Sequence, residues 1–342
     1  FVNITTILLF FTYLWGLGFT GTYFVKKPEH FLERFFLNLG IGLGLFPILS
    51  ILLNLVRIPL DWKIFLGISL AFPLFILAKS LKEKKIKLPS LALKKSDLAM
   101  LLVIFIALFS FYVYAKGAFG YPYLENEDPW GHAVGVKYVA LEKNAYDPVI
   151  TNAKEIDPVL SYIDPYPPAY DILMGILHQT SPNVNWTLKF FNALIISLGF
   201  IFFYLFSKKL IGHQNKALFA TLVLALVPSY LSHFIWAHSL VITIFFPAMY
   251  TFMSIEEDKK WSFIALLLVA SIWVTQNVEQ PLKLSTMIVL YIAVFSLAAG
   301  KFLWRPTLAL AGGVLLSFVW WGVMIQKYTL SGFLKYFGGS SE

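Results

Sequence analysis

Long apolar stretches recur along the whole chain, and this recurrence constrains the fold more than any other feature. A helix needs about 20 mainly apolar residues to cross the hydrocarbon core of a bilayer. Stretches of that length or somewhat shorter lie at 1–24, 35–56, 64–79, 98–117, 186–206, 217–232, 239–254, 261–275, 284–300 and 306–325. The pattern predicts an all-α, polytopic membrane protein with about ten spans, of which those near 217, 239 and 261 are short.

The composition supports the same class and excludes others. Hydrophobic residues make up 58% of the 342 residues, charged residues make up 13%, and the mean hydropathy is +0.72. Soluble domains carry about 25% charged residues, so a soluble fold of this composition could not cover its own surface. The chain contains no cysteine. Disulfides, thiolate nucleophiles and cysteine-ligated metals are therefore excluded.

Clusters of lysine and arginine predict the orientation of the spans. If the spans alternate in direction, every cluster falls on one side of the membrane, which the positive-inside rule assigns to the cytoplasm. The net charge of +8 then reflects cytoplasmic basic residues and does not predict nucleic-acid binding. The clusters are the lysine-rich segment 80–97, placed to touch anionic lipid, and groups at 26–34, 208–216, 259–260 and 301–305.

The same orientation places one long loop, 118–185, outside. It divides the chain into an N-terminal three-span region with a basic cytoplasmic loop, 1–97, and a second transmembrane region, 98–342. Two stretches of the loop, about 129–143 and 168–179, are too short and too polar to span, so we expect interfacial helices there. The loop is acidic, with three basic residues against nine carboxylates: Glu125, Glu127, Asp128, Glu142, Asp147, Glu155, Asp157, Asp164 and Asp171.

The sharpest local pattern directly follows the fourth span, at the predicted outer surface. Glu127 and Asp128 are adjacent carboxylates, and His132 lies four residues beyond Asp128. Carboxylate oxygens suit Mg²⁺ or Mn²⁺, so the pattern is one a metal site would need. The alternative is structural: acidic residues favour the N-terminus of a helix, here beside Trp130 as a membrane anchor.

Three further patterns are candidates for substrate or metal contacts. Tyr166 and Tyr170 lie in a proline-rich stretch, which equally well starts a short helix. His238 follows the sixth span, where an imidazole could complete a metal site or simply be solvated. Trp273 and Gln276 flank a short outer loop whose polar groups could hold a phosphate or a sugar, or belong to a plain loop.

Several function classes lose support from the sequence. It contains no P-loop, dinucleotide-binding, zinc-protease or serine-hydrolase signature. Ionisable residues deep within the predicted spans are scarce, whereas ion-coupled transporters usually carry them near the midplane. ATP-driven transport, serine hydrolysis and secondary transport are therefore disfavoured.

The order of these motifs resembles the GT-C superfamily of membrane glycosyltransferases, over about 98–325. The closest likeness is to the catalytic subunit of oligosaccharyltransferase, especially archaeal forms, whose first motif commonly reads Asn-Asp-Pro-Trp-Tyr-His. A Tyr-Pro-Pro helix follows that motif, then 185–194 opens the next span, and 227–232 resembles the segment before the second acidic motif. The corresponding first motif here is Glu127-Asp128-Pro129-Trp130-Gly131-His132.

The resemblance also has departures. Trp236 stands where the family has its second acid, and Ala133 and Val134 stand where it usually has an arginine. The Trp-Trp-Asp motif that binds the acceptor sequon is not found, because Trp320 and Trp321 precede a glycine. We therefore expect that the chain alone does not glycosylate an Asn-x-Thr peptide, and that it is a fragment or a divergent relative with another acceptor.

The resemblance implies transfer of a sugar or oligosaccharide from a polyprenyl phosphate or diphosphate at the outer face of a prokaryotic cell membrane. It implies a divalent cation, Mn²⁺ or Mg²⁺, bound by Asp128 with His238 and His132. Glu127 is then a second ligand or the base, and the substrate contacts fall to Tyr166, Tyr170, Trp273 and Gln276. Two alternatives stay open: a non-catalytic lipid-binding or scaffold relative, and a flippase or other transporter of lipid-linked sugars.

Overall fold

The structure is a computed structural model that describes residues 4–28, 30–84, 97–147, 163–227, 230 and 232–338, with side chains to residue 331. The described residues form twelve helices and no strand. The helices are α1 Ile4–Thr22, α2 Phe31–Leu55, α3 Trp62–Lys82, α4 Asp97–Phe119, α5 Glu127–Glu142, α6 Ala169–His178, α7 Val184–Ile211, α8 Gln214–Leu226, α9 His238–Ser254, α10 Trp261–Trp273, α11 Glu279–Ala299 and α12 Trp304–Gly338.

Seven helices are long and apolar enough to cross a membrane: α1, α2, α3, α4, α7, α11 and α12. Three shorter apolar helices, α8, α9 and α10, occupy the stretches near 217, 239 and 261 that were noted as short. The predicted class, an all-α protein with several membrane-spanning helices, is therefore confirmed. The number of spans stays a prediction, because the length of α8, α9 and α10 falls below what a perpendicular span requires.

Local sequence sets several helix boundaries. The side chain of Asn183 accepts a hydrogen bond from the backbone N–H of Trp186 and so caps the start of α7. Gly212 ends the same helix with φ of 70°, a conformation that glycine adopts without a steric penalty. Asp61 caps α3 in the same way as Asn183 caps α7.

Helix α2 lies in the middle of the bundle and packs against α1, α6, α7, α9 and α10. Glycines allow α1 and α2 to approach closely: a Cβ on Gly18 would lie 1.7 Å from the carbonyl oxygen of Asn38, and one on Gly42 would lie 1.7 Å from that of Leu14. Small residues at such crossings are typical of helix packing in membranes. Helix α2 precedes residue 97 but packs against helices that follow residue 97 as well as against α1. The division of the chain into 1–97 and 98–342 therefore stays a prediction.

The helix ends that carry the basic clusters lie together at one end of the bundle. There the backbone N–H of Lys26 donates to Asp258, the Lys260 ammonium donates to the carbonyl of Phe24, and further ion pairs join Lys208 to Glu33, Lys209 to Glu257 and Lys301 to Glu256. This arrangement agrees with the single orientation that the sequence predicts. Most of segment 80–97 lies outside the described residues, so its cytoplasmic placement stays a prediction.

The outer loop contains the two helices that were expected near 129–143 and 168–179, now seen as α5 and α6. Helix α5 buries one face, including Pro129, His132 and Val136, and exposes the other. Helix α6 differs from the expectation of an interfacial helix, because every residue from Ala169 to Leu177 is buried within protein. Its sequence is apolar all round except at Asp171, and a helix of that kind belongs inside a fold rather than at a surface.

Candidate functional site

The first turn of α5 places the two adjacent carboxylates at the outer end of the bundle. Asn126 caps this helix by accepting a hydrogen bond from the backbone N–H of Glu127 over 2.7 Å. The side chain of Glu127 is exposed, whereas Asp128 is half-buried. Both carboxylates lie where the positive end of the helix dipole stabilises negative charge. Asp128 therefore faces the protein, and Glu127 lies at the rim.

One turn later, His132 forms a buried pair with Asp171 of α6. Nδ1 of His132 donates to Oδ1 of Asp171 over 2.7 Å, and both side chains are almost fully excluded from solvent. Burial raises the pKa of Asp171 to about 6, although the nearby imidazole opposes that shift. Because the carboxylate accepts the Nδ1 proton, the neutral imidazole carries its lone pair on Nε2.

The second oxygen of Asp171 is enclosed as tightly as the first. Oδ2 is buried and has no hydrogen-bond partner among the described residues. It lies directly against α5, since a Cβ built on Gly135 would come within 2.1 Å of it. The absence of a side chain at Gly135 is therefore what lets α5 and α6 bring His132 and Asp171 together.

Two tyrosines surround the imidazole of His132. The ring of Tyr170 lies 4.8 Å from it and that of Tyr166 lies 6.2 Å away, both edge-on. The hydroxyl of Tyr170 donates to the side chain of Asn192 over 3.1 Å, which in turn donates to the carbonyl of Phe234. Tyr170 is buried and structural in its contacts, whereas Tyr166 is half-buried.

His238 is the first residue of α9. Its imidazole stacks on Trp236 with 4.1 Å between ring centroids and accepts a hydrogen bond from the side-chain amide of Gln276. It also interacts electrostatically with Asp128, Glu279 and His132. The close approach of Asp128 to His238 stays a prediction, and Gln276 is bound to His238.

Trp273 lies behind this group and holds it to α11 and α12. Its indole N–H donates to the hydroxyl of Ser285 over 3.0 Å, and its carbonyl accepts from the indole N–H of Trp321 over 2.9 Å. The carbonyl of the next residue, Val274, accepts from the backbone N–H of Ala169. The loop after α10 is thereby joined to α6.

The structure thus brings together Asp128, His132, Tyr166, Tyr170, His238 and Gln276, leaves Glu127 at the rim, and gives Trp273 supporting contacts. Within the described ranges, no group of three or more histidine, aspartate or glutamate side chains is placed to hold a metal ion. The donor chemistry nevertheless has one feature of a metal site, because a ligating histidine usually donates its other ring N–H to a carboxylate. Asp171 plays that part for His132.

Two residues that sequence reasoning did not select belong to this end of the bundle. Asp171 is one of them, and its position in an otherwise apolar helix was the signal that it needs a partner. The other is Lys189 of α7, which is buried and donates a 2.5 Å hydrogen bond to the carbonyl of Tyr121. A lysine within an apolar span was a comparable signal, since ionisable residues there are rare and usually functional.

An apolar cavity of about 470 Å³ lies below Lys189, between α1, α2, α4 and α7. Apart from Ser197, the residues that line it are apolar, and they include Phe11, Phe35, Phe111 and Phe190. The cavity extends along α7 from Phe190, the neighbour of Lys189, to Ile201. Its lining also reaches Phe35 and Phe36, within two turns of the start of α2 at the basic end of the bundle.

No protein-family model, curated protein or solved structure matches the chain. The fold defines the class of protein, a helical membrane protein with several spans. Its function is therefore inferred from the residues of the site.

Proposed function

We propose that the chain transfers a sugar or oligosaccharide from a polyprenyl phosphate or diphosphate at the outer end of the bundle. The observation that carries the proposal is the convergence of four separate stretches of sequence, 127–132, 166–171, 236–238 and 273–276, on one polar neighbourhood around His132 and His238. A helical membrane protein needs no such group for packing, and convergent polar side chains are typical of a ligand site.

The residues around Asp128 fit the acid–base needs of sugar transfer. The acceptor attacks the anomeric carbon, the bond from that carbon to the phosphate oxygen breaks, and the phosphate leaves with the electron pair. The acceptor proton must pass to a base, as in inverting glycosidases. Asp128, half-buried beside His238, is our candidate for that base or for orienting the acceptor, and the exposed Glu127 is the second candidate.

A divalent cation, when bound, would neutralise the departing phosphate. Asp128, His132 and His238 are the candidate donors, but they do not form a three-ligand group in the part of the chain that the structure describes, so the proposed transfer does not depend on a metal. Asp171 fixes the tautomer and orientation of His132. The chain's own contribution is then to orient these donors. Lys189 adds a buried ammonium at the same end of the bundle, next to the apolar cavity.

The lipid part of the donor fits the apolar cavity. An isoprenoid chain is apolar and flexible, and the phenylalanine-lined space between α1, α2, α4 and α7 presents no polar accessible surface. A chain lying there would bring its phosphate towards Lys189 and the outer end of α4. This supports a lipid-linked donor over a soluble sugar nucleotide.

The test compares wild-type protein with Asp128→Asn, which keeps the shape of the side chain and removes its charge. Purified protein is reconstituted with a membrane lipid extract that supplies donor and acceptor, and sugar release from the polyprenyl carrier is followed with and without a chelator. We expect at least a hundredfold loss of turnover for the variant, the low end of what a general base contributes. Glu142→Gln, an exposed acid at the far end of α5, is the matched control and should keep its activity. Equal turnover by wild type and Asp128→Asn would overturn the proposal.

The second candidate is a non-catalytic relative that binds polyprenyl phosphate. It is favoured by the lack of a three-donor metal group in the part of the chain that the structure describes. In that case the extract experiment gives lipid binding without sugar release, and Asp128→Asn binds as wild type does.

A further inference from the structure

A second cavity, lined by polar side chains, lies at the opposite end of the bundle, where the basic clusters meet. It has a volume of about 350 Å³ and lies between the α1–α2 connection, the end of α7 and the end of α9. Four lysines and two glutamates line it: Lys26, Lys27, Lys208, Lys209, Glu33 and Glu257. Its size is within the range of small-ligand pockets.

Both glutamates of this cavity are already used by its own lysines. Glu33 pairs with Lys208, and Glu257 pairs with Lys209. Lys26 and Lys27 have no carboxylate ion pair within the described residues, although Lys26 also provides its backbone N–H to Asp258. The cavity therefore carries excess positive charge.

A bound anion would stabilise the charged ammonium of Lys27. Its ammonium lies 5.1 Å from the ring centre of Phe19 and 5.9 Å from that of Tyr23, so aromatic faces are its neighbours. Burial and the nearby charge of Arg34 lower the pKa of Lys27 to about 8. A bound anion would offset both effects, because it pairs with the ammonium and screens it from Arg34.

The surroundings of the cavity favour a lipid over a free ion. Phe24 is 64% exposed and Tyr23 is 39% exposed, and both contact Phe72 of α3. Exposed aromatic rings beside lysines, at the end of apolar helices, are typical of the headgroup level of a membrane. A free anion would use the lysines alone, whereas an anionic lipid would use the lysines and the rings.

We propose that this cavity binds the phosphate headgroup of an anionic membrane lipid, with Lys26 and Lys27 as its principal contacts. In the orientation that the basic clusters predict, the lipid belongs to the cytoplasmic leaflet. The site is separate from the outer candidate site and does not depend on the proposed transferase activity.

Native mass spectrometry of the full chain in detergent tests the proposal, with phosphatidylglycerol as the probe. Phosphatidylcholine, which carries a phosphate but no net charge, and inorganic phosphate are the comparison ligands. We expect selective binding of phosphatidylglycerol by wild type. The double variant Lys26→Gln/Lys27→Gln should bind it about 25-fold more weakly, which is about fivefold for each lysine.

Two further proteins make the result specific. Lys63→Gln/Lys137→Gln removes two exposed lysines at the other end of the bundle and should bind as wild type does. Lys26→Arg/Lys27→Arg keeps both charges and should stay within about threefold of wild type, which also shows that substitution at these positions is compatible with folding. Asp128→Asn should leave lipid binding unchanged, which separates this site from the outer one.

A residue-level readout uses the reactivity of the Lys27 amine. Acetylation at pH 8, followed by peptide mass mapping, should modify Lys27 faster than Lys137, and phosphatidylglycerol should slow the reaction at Lys26 and Lys27 but not at Lys137. Undiminished binding by Lys26→Gln/Lys27→Gln would overturn the proposal, and so would an equal loss in the Lys63/Lys137 control. Protection of Lys27 by inorganic phosphate but not by phosphatidylglycerol would also overturn it, in favour of a free-phosphate site.

Discussion

Replacing Gly135 by alanine perturbs the pair of His132 and Asp171 without changing the identity of either residue. The added Cβ would lie 2.1 Å from Oδ2 of Asp171, whereas ordinary contact begins at 3.4 Å. The carboxylate must therefore retreat by about 1.3 Å or the two helices must separate. A retreat of that size would carry the 2.7 Å bond to His132 beyond hydrogen-bonding distance.

The expected cost combines three effects. Overpacking in a filled interior costs about 1–3 kcal/mol. The lost bond to a charged group costs about 1.5–3 kcal/mol. The better helix propensity of alanine returns about 1 kcal/mol, so the net loss of stability is on the order of 1.5–5 kcal/mol.

Thermal unfolding of the purified protein in detergent, followed by tryptophan fluorescence, measures this loss. Gly67→Ala is the matched control, because Gly67 also lies within a helix and a Cβ there meets nothing within 4 Å. We expect that variant to be as stable as wild type or slightly more stable. If the carboxylate is the obstacle, Gly135→Ala should cost much less in an Asp171→Ala background. An equal cost in both backgrounds would refute the close approach of α5 and α6 described above.

Three other predictions concern pH, orientation and a second buried carboxylate. Burial raises the pKa of Asp171 to about 6, above its unfolded value of 3.8, so the folded state binds the proton more tightly. The free energy of unfolding should therefore fall by about 3 kcal/mol as pH rises from about 4 through 6. Asp171→Asn should remove this pH dependence, as measured by thermal melts at a series of pH values. In sealed proteoliposomes or cells, single cysteines at Glu142 and Lys301 should differ in labelling by an impermeant thiol reagent, with only the Glu142 position reacting from outside; the reverse pattern would invert the topology. Lys327 pairs with the fully buried Asp164, so Lys327→Met should destabilise the protein by about 3–5 kcal/mol, and Asp164→Asn in addition should restore most of that loss, as measured by melting temperature.

The apolar stretches predicted most of the helices because bilayer thickness fixes how long such stretches must be. The sequence also placed α5 and α6 to within a few residues, since proline and asparagine mark their starts. The environment of α6 was predicted less well. Its length and its place in an acidic loop suggested a membrane surface, but only its neighbours α2, α5 and α7 determine that it is enclosed.

The sequence identified several residues of the candidate site, but it did not predict the contacts among them. Asp128, His132 and His238 were selected as single residues, and the fold does bring them into one region. The bond from His132 to Asp171 joins two helices across a stretch that lies partly outside the described residues, and no local rule of spacing predicts it. Trp236, which stands where the resembled family has an acid, stacks on His238, so an aromatic ring orients that imidazole.

The buried carboxylate of Asp171 bears on the choice between an enzyme and a scaffold. Its raised pKa means that the ionised form lowers stability at neutral pH, and Oδ2 has no hydrogen-bond partner among the described residues to offset that cost. A well-packed apolar pair at positions 132 and 171 would be as stable or more stable, as is common for buried ion pairs. Packing alone therefore does not account for the pair. A fixed imidazole does: the carboxylate holds His132 in one tautomer and one orientation beside Asp128, which a catalytic or metal-binding histidine requires and a scaffold does not.

Asp171→Asn distinguishes the two functions, because the amide can still accept the Nδ1 proton but cannot stabilise a charged imidazole. A scaffold would gain stability at neutral pH and keep its lipid binding, whereas the proposed transferase would lose turnover while its fold is preserved.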